Sequence, residues 1–239
     1  MKSNPMALPT TQNRLAEIPV LLRGETDTIR RWSEGWESSR FAVQIVVIVL
    51  GAGAYGAAMG WWRAPLQAGF VAIKFPLIIL LTTIGNALIN GMLAPLLGLN
   101  VPLRQSFSAI VMGCAITSAI LGAFSPLMAF LIWNAPEMAA KNYVVYSLIL
   151  LTHVAAIAVA GTVGNVRLFQ LLLSLGGSRA VAMRVQCAWL AGNLFLGSQL
   201  SWILRPFIGS PILPVQFVRE NALKGNFYEA VFAALRHVF

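Results

Sequence analysis

From residue 38 to residue 136 the chain contains no aspartate or glutamate, and most of that interval is apolar. A water-soluble domain usually carries about a quarter of its residues charged. Here charged residues make up 10% and hydrophobic residues 58% of a 239-residue chain, so the solvent for most of it is lipid. Five apolar stretches stand out, at residues 41–62, 70–97, 107–133, 143–166 and 185–204. Each reaches the ~20 residues that a helix rising ~1.5 Å per residue needs to cross ~30 Å of hydrocarbon. The predicted fold is all-α: a polytopic integral membrane helical bundle of about five transmembrane helices over residues 41–205. A cytoplasmic N-terminal segment precedes it at 1–40 and a C-terminal tail follows at 206–239, each with an amphipathic surface helix.

Seventeen basic residues against eight acidic ones leave a net charge of +9. The basic residues fall at the ends of apolar segments, where anionic headgroups rather than nucleic acid are the fitting partner. With the N terminus in the cytoplasm, five crossings put ten Lys and Arg on that side and six opposite. This bias predicts a cytoplasmic N terminus. No early apolar core precedes a small-residue cleavage site, so the first membrane helix is expected to act as its own insertion signal. Cys114 and Cys187 both lie inside apolar segments and indicate neither a disulfide framework nor a zinc site.

The two terminal helices rest on periodicity. Ile29, Trp32 and Trp36 recur at helical spacing with charges on the other faces, which marks Trp32 and Trp36 as membrane-surface contacts. At the other end Asn226 and Glu229 have capping-box spacing ahead of a stripe through Tyr228, Val231, Phe232, Leu235 and Phe239. Tyr228 and Phe232 are the contact candidates there. Ala52, Gly56 and Gly60 lie four apart in the first membrane helix, the small-residue spacing that lets helix backbones approach in lipid; packing within one subunit or dimerisation would both use it.

Polar side chains inside the apolar segments are the candidates for function, because each is costly in hydrocarbon. Lys74 and Pro76 sit near the predicted start of the second helix, so the Lys74 ammonium is expected to reach headgroup level while Pro76 shapes the helix entrance. Asn86 and Asn90 share one helix face and can bond across to another helix. His153 is expected to be a hydrogen-bonded packing residue, since His237 is its only histidine companion and no metal set forms. Asn165 with Arg167, and Arg205 with Pro206, mark expected helix ends, and residues 167–184 read as a connector. Ser125-Pro126 is a place where the third helix is expected to tilt or break.

Enzyme motifs are missing. The chain has no H-E-x-x-H, no G-x-S-x-G, no Gly-rich loop ahead of Lys-Ser/Thr and no pair of intramembrane carboxylates. Gly197-Ser198-Gln199-Leu200 lacks the second glycine of a rhomboid-type serine site. Neither catalytic residues, nor cofactor, nor metal are therefore expected. The lack of acidic residues in every helix also argues against proton- or sodium-coupled transport.

Tyr55-Gly56, the run Ala72-Ile73-Lys74-Phe75-Pro76-Leu77-Ile78-Ile79-Leu80-Leu81-Thr82, then Gly98 and Arg104-Gln105-Ser106-Phe107 resemble the Yip family of Rab-interacting membrane proteins and its bacterial branch. That resemblance spans roughly residues 41–205 and implies a cytoplasmic N-terminal region, five membrane helices and a short far-side C terminus. Eukaryotic members carry an Asp-Leu-x-Gly-Pro element near the first helix, where this chain has Glu37-Ser38-Ser39-Arg40. The likeness thus implies the scaffold and not a Rab contact. Together these features favour a non-catalytic scaffold or accessory subunit that organises lipid, a membrane-protein partner or a second copy of itself. The alternatives are an oligomeric channel, pore or transporter subunit and, third, a lipid-active membrane enzyme.

Overall fold

The computed structural model describes residues 38–138, 143–176, 178–210 and 212–229. Trp32, Trp36 and Phe232, the predicted terminal surface contacts, lie outside these residues. Among these described residues five helices follow one another: α1 (Ser38–Trp61), α2 (Pro65–Leu96), α3 (Leu103–Trp133), α4 (Tyr143–Gly176) and α5 (Arg179–Leu204). Four segments among the described residues are long and apolar enough to cross a membrane: α1, α2, α3 and Val144–Leu175 within α4. Arg184, Gln186, Asn193, Ser198 and Gln199 make α5 less apolar.

Helices α2, α3, α4 and α5 pack as a ring, each against the next, with α2 closing on α5; α1 lies outside it in the groove between α2 and α3. Glycine sets the α1 distances. A Cβ on Gly56 would sit 2.5 Å from the Val71 carbonyl oxygen, and one on Gly60 2.7 Å from that of Gln67. The small-residue stripe is thus engaged within the subunit, against α2. The buried core divides by depth. Tyr55, Met59, Leu121 and Ala160 gather toward the α1–α2 turn, while Ile116, Leu172, Val185 and Trp189 gather toward the opposite end. Large side chains such as Met92, Leu96, Trp133 and Val144 remain exposed on the outer surface, as lipid contact requires.

Several helices run past the boundaries read from polarity. α4 continues through Arg167 to Gly176, because Leu168, Leu171 and Leu172 are buried against α3. Arg167 is therefore inside a helix and not at an end; its guanidinium donates to Gln170 Oε1 at 3.1 Å on the helix surface. The predicted connector shrinks to the few residues between α4 and α5. α2 starts at Pro65, which places Pro76 in the helix interior rather than at its entrance. α3 does not break at Pro126. Proline has no N–H for the Gly122 carbonyl four residues back, and the Ser125 hydroxyl donates to that oxygen instead, at 2.7 Å.

Beyond α5 the tail folds back over the end of the bundle that holds the α1–α2 turn. Arg63 Nε donates to Ser210 O at 2.8 Å, and Gln67 Nε2 lies 2.9 Å from both Pro206 O and Phe207 O. The capping box forms: Glu229 N donates to Asn226 Oδ1 at 2.9 Å and Asn226 N to Glu229 Oε2 at 3.2 Å.

Candidate functional site

The four ring helices line a partly open pocket of about 230 Å³. Its wall is mainly apolar, from Ile78, Ile110 and Leu168, with small residues Gly113, Gly161, Gly164 and Gly197 opening the space. Thr82, Cys114, Thr117, Asn165 and Asn193 supply its polar atoms. Thr117 bonds back to the Gly113 carbonyl at 3.0 Å, and Thr83 Oγ1 lies 3.1 Å from Cys114 Sγ. Thr82 differs, because its hydroxyl is buried without a hydrogen-bond partner.

Around the cavity, polar side chains tie one helix to another. Asn86 Nδ2 donates to Asn193 Oδ1 at 2.8 Å, joining α2 to α5, and Asn90 Nδ2 donates to Asn86 Oδ1. Gly192 makes room for this cluster, since a Cβ there would lie 2.3 Å from Asn86 Oδ1. Gln186 Nε2 donates to Asn165 Oδ1 at 2.8 Å, joining α5 to α4, while the Asn165 amide donates to the Gly161 carbonyl of its own helix. Asn165 therefore acts within a helix–helix contact and does not end one. His153 of α4 is buried, with Nδ1 2.9 Å from the Tyr55 hydroxyl of α1 and the two rings edge to face. The sequence left Tyr55, Gln67 and Gln186 unmarked as partners; a tyrosine or glutamine deep in an apolar run was the available signal.

Lys74 does not extend freely from the bundle. It is fully buried, with its ammonium under the C-terminal tail. Its ammonium donates to Pro206 O at 3.1 Å and Gln216 O at 3.4 Å, and lies 5.2 Å from the Phe217 ring centroid. The charge is thus solvated by tail carbonyls and an aromatic face, and the tail is held by that charge. Arg205, just past α5, stacks on Trp202 with Cζ 3.1 Å from the ring centroid, and Arg219 approaches the same ring at 5.0 Å. Burial first, and then the Arg219 charge, hold Arg205 below the ordinary arginine value. Tyr228 stacks on Phe195 at 5.5 Å, so this predicted surface contact packs on α5.

Among the described residues no group of three His, Cys, Asp or Glu side chains is placed to hold a metal. The cavity can therefore hold an apolar group and offer it one hydroxyl, but it presents no acid–base pair. Comparisons with protein families, characterised proteins and solved structures found no match to this chain.

Proposed function

We propose that this chain is a non-catalytic membrane scaffold or accessory subunit that organises lipid or a membrane-protein partner, with five crossings and a cytoplasmic N terminus. One observation carries the reading. The intramembrane amides and the buried histidine pair across helix contacts, in the Asn86–Asn90–Asn193, Asn165–Gln186 and Tyr55–His153 sets, while the Thr82, Ser106 and Ser118 hydroxyls stay without a partner. What an enzyme would direct at a substrate is here directed at the bundle itself. The pocket supports lipid as the object organised, because its wall is mainly apolar, it is partly open, and its volume is about 230 Å³. The fifth crossing is supported by the course of α5. Val181 near its start packs beside Gly98 of the α2–α3 loop, and Pro206 past its end meets Gln67 of α2.

The test is purification in mild detergent, native mass spectrometry of the retained lipids and proteins, and ion or solute flux in liposomes. The scaffold reading expects a retained lipid or partner near stoichiometric amount and no flux. Flux that disappears on Thr82→Val or Asn193→Ala would overturn it in favour of a pathway through the ring.

A further inference from the structure

The tail does more than close the end of the bundle. It crosses α2 at Phe217, and then Arg219, Gly225 and Tyr228 lie against the last turns of α5. Phe217 meets Phe70 edge to face at 5.4 Å, and the Tyr228 hydroxyl is 2.9 Å from Ser198 Oγ. Gly225, with φ +68, passes beside Trp202. This path carries Arg219 onto the indole that Arg205 already covers, and two guanidinium groups converge on one ring.

Three donors in this cluster are buried and bonded to nothing: Arg219 Nε, Arg219 Nη2 and Trp202 Nε1. On a guanidinium, Nε and Nη2 form one edge, with parallel N–H bonds that fit two oxygens of a single anion. Leaving such an edge buried and empty costs the desolvation of a charged group with no return. A second positive charge beside it adds repulsion. Of the nearby carboxylates, Glu229 accepts the backbone N–H of Asn226 through Oε2, and Glu220, next in sequence to Arg219, is exposed. Lys74 stands apart, with its ammonium on the Pro206 and Gln216 carbonyls. Two like charges and three orphaned donors around one indole are what an oxyanion would complete.

We infer that Trp202, Arg205 and Arg219 form a binding site for a phosphate-type oxyanion, carried by a lipid headgroup or free in solution. Arg219 meets it bidentately through Nε and Nη2, the Trp202 indole N–H supplies a third donor, and Arg205, half-exposed on the same ring, forms the entrance. The site would lie on the far side if the N terminus is cytoplasmic. Its chemistry does not depend on the scaffold reading.

Delipidated protein in detergent, examined by native mass spectrometry, tests this with three probes: short-chain phosphatidylglycerol, short-chain phosphatidylcholine and inorganic phosphate. Wild type is expected to bind at least one. Arg219→Gln, and Arg219→Lys, which keeps the charge but loses the fork, should weaken it by about tenfold or more. Trp202→Phe keeps an aromatic platform under the guanidiniums and removes only the N–H. It should weaken binding severalfold, with the melting temperature of unliganded protein held. Phospholipid binding that inorganic phosphate does not displace identifies a headgroup, and displacement identifies a free anion. Wild type that binds none of the probes, or binds them no more tightly than Arg219→Gln and Trp202→Phe, overturns the proposal.

Discussion

At the crossing of α1 and α3 a single methyl group should be enough to separate two helices. A Cβ on Gly51 would stand 2.2 Å from the Ser118 carbonyl oxygen and 2.7 Å from its carbon. From the other side, a Cβ on Gly122 would stand 2.8 Å from Gly51 Cα. These neighbours are backbone, so no rotamer change relieves the clash, and Gly51→Ala must move α1 away by roughly 1 Å to restore ordinary contact distances. The shift opens the packing around Ile48, Val111 and Ala115, all buried between these helices. A gap of ~0.5–1 Å forfeits a quarter to a half of each dispersion contact, and overpacking of this kind costs about 1–3 kcal/mol. Gly69→Ala is the control. Nothing lies within 4 Å of its Cβ position, so the same chemical change should be neutral or gain about 0.5–1 kcal/mol of helix propensity. Thermal unfolding in detergent can be followed with a thiol-reactive dye at half-buried Cys114, in a background where exposed Cys187 is replaced by serine. For a chain of this length ~2 kcal/mol corresponds to a fall of about 4–8 °C. If Gly51→Ala melts with Gly69→Ala, the α1–α3 backbones are not in contact there and the packing argument fails.

A double-mutant cycle on Tyr55→Phe and His153→Phe is expected to give a coupling of about 0.6 kcal/mol and no more than ~1.7, measured by the same unfolding assay; additive effects would deny the bond. Asn193→Ala removes the acceptor for Asn86 and should lower stability by ~1 kcal/mol, whereas an unchanged midpoint would mean that the Asn cluster contributes nothing to α2–α5 association. Lys74→Met should release the tail, read as faster tryptic cleavage at Arg219 and Lys224; equal cleavage rates would show that the ammonium does not hold it. Cysteines placed at Asn100 and Leu213 should label from opposite membrane faces, the first cytoplasmic, and labelling of both from one face would remove an odd number of crossings between them.

The membrane character of the chain was legible because hydropathy alone decides it, and Asn86 with Asn90 was legible as one face because four residues make about one helical turn. Helix ends were not legible. Polarity at Arg167 reads as an exit from the membrane, yet Arg167 and Gln170 satisfy each other on the helix surface while Leu168, Leu171 and Leu172 continue the core. Pro126 reads as a break, but the neighbouring hydroxyl repairs the backbone bond it removes. Lys74 and Arg219 were beyond local reading altogether. What each of them meets depends on a tail that doubles back over α2 and α5, and no periodicity in either segment encodes that path.

Helix length explains why the tail and the buried lysine belong together. α2, α3 and α4 have 32, 31 and 34 residues, which is ~46–51 Å of helix against ~30 Å of hydrocarbon. Tilt of ~20° absorbs only a small part of that excess, so ~15 Å or more of these helices must stand in the headgroup layer or beyond. Lys74 is about 14 Å along α2 from Pro65, within reach of that projecting portion. Pro206, Gln216 and Phe217 of the tail cover the same portion through Gln67, Phe70 and Lys74. A lysine at the bilayer centre would cost at least ~2.5–3.5 kcal/mol. At the edge, under a lid of carbonyls, it instead supplies the charge that organises a polar, proline-rich segment against an apolar bundle. The same depth puts Trp202, Arg205 and Arg219 at headgroup level, where phosphate oxygens are the commonest anions a membrane protein meets.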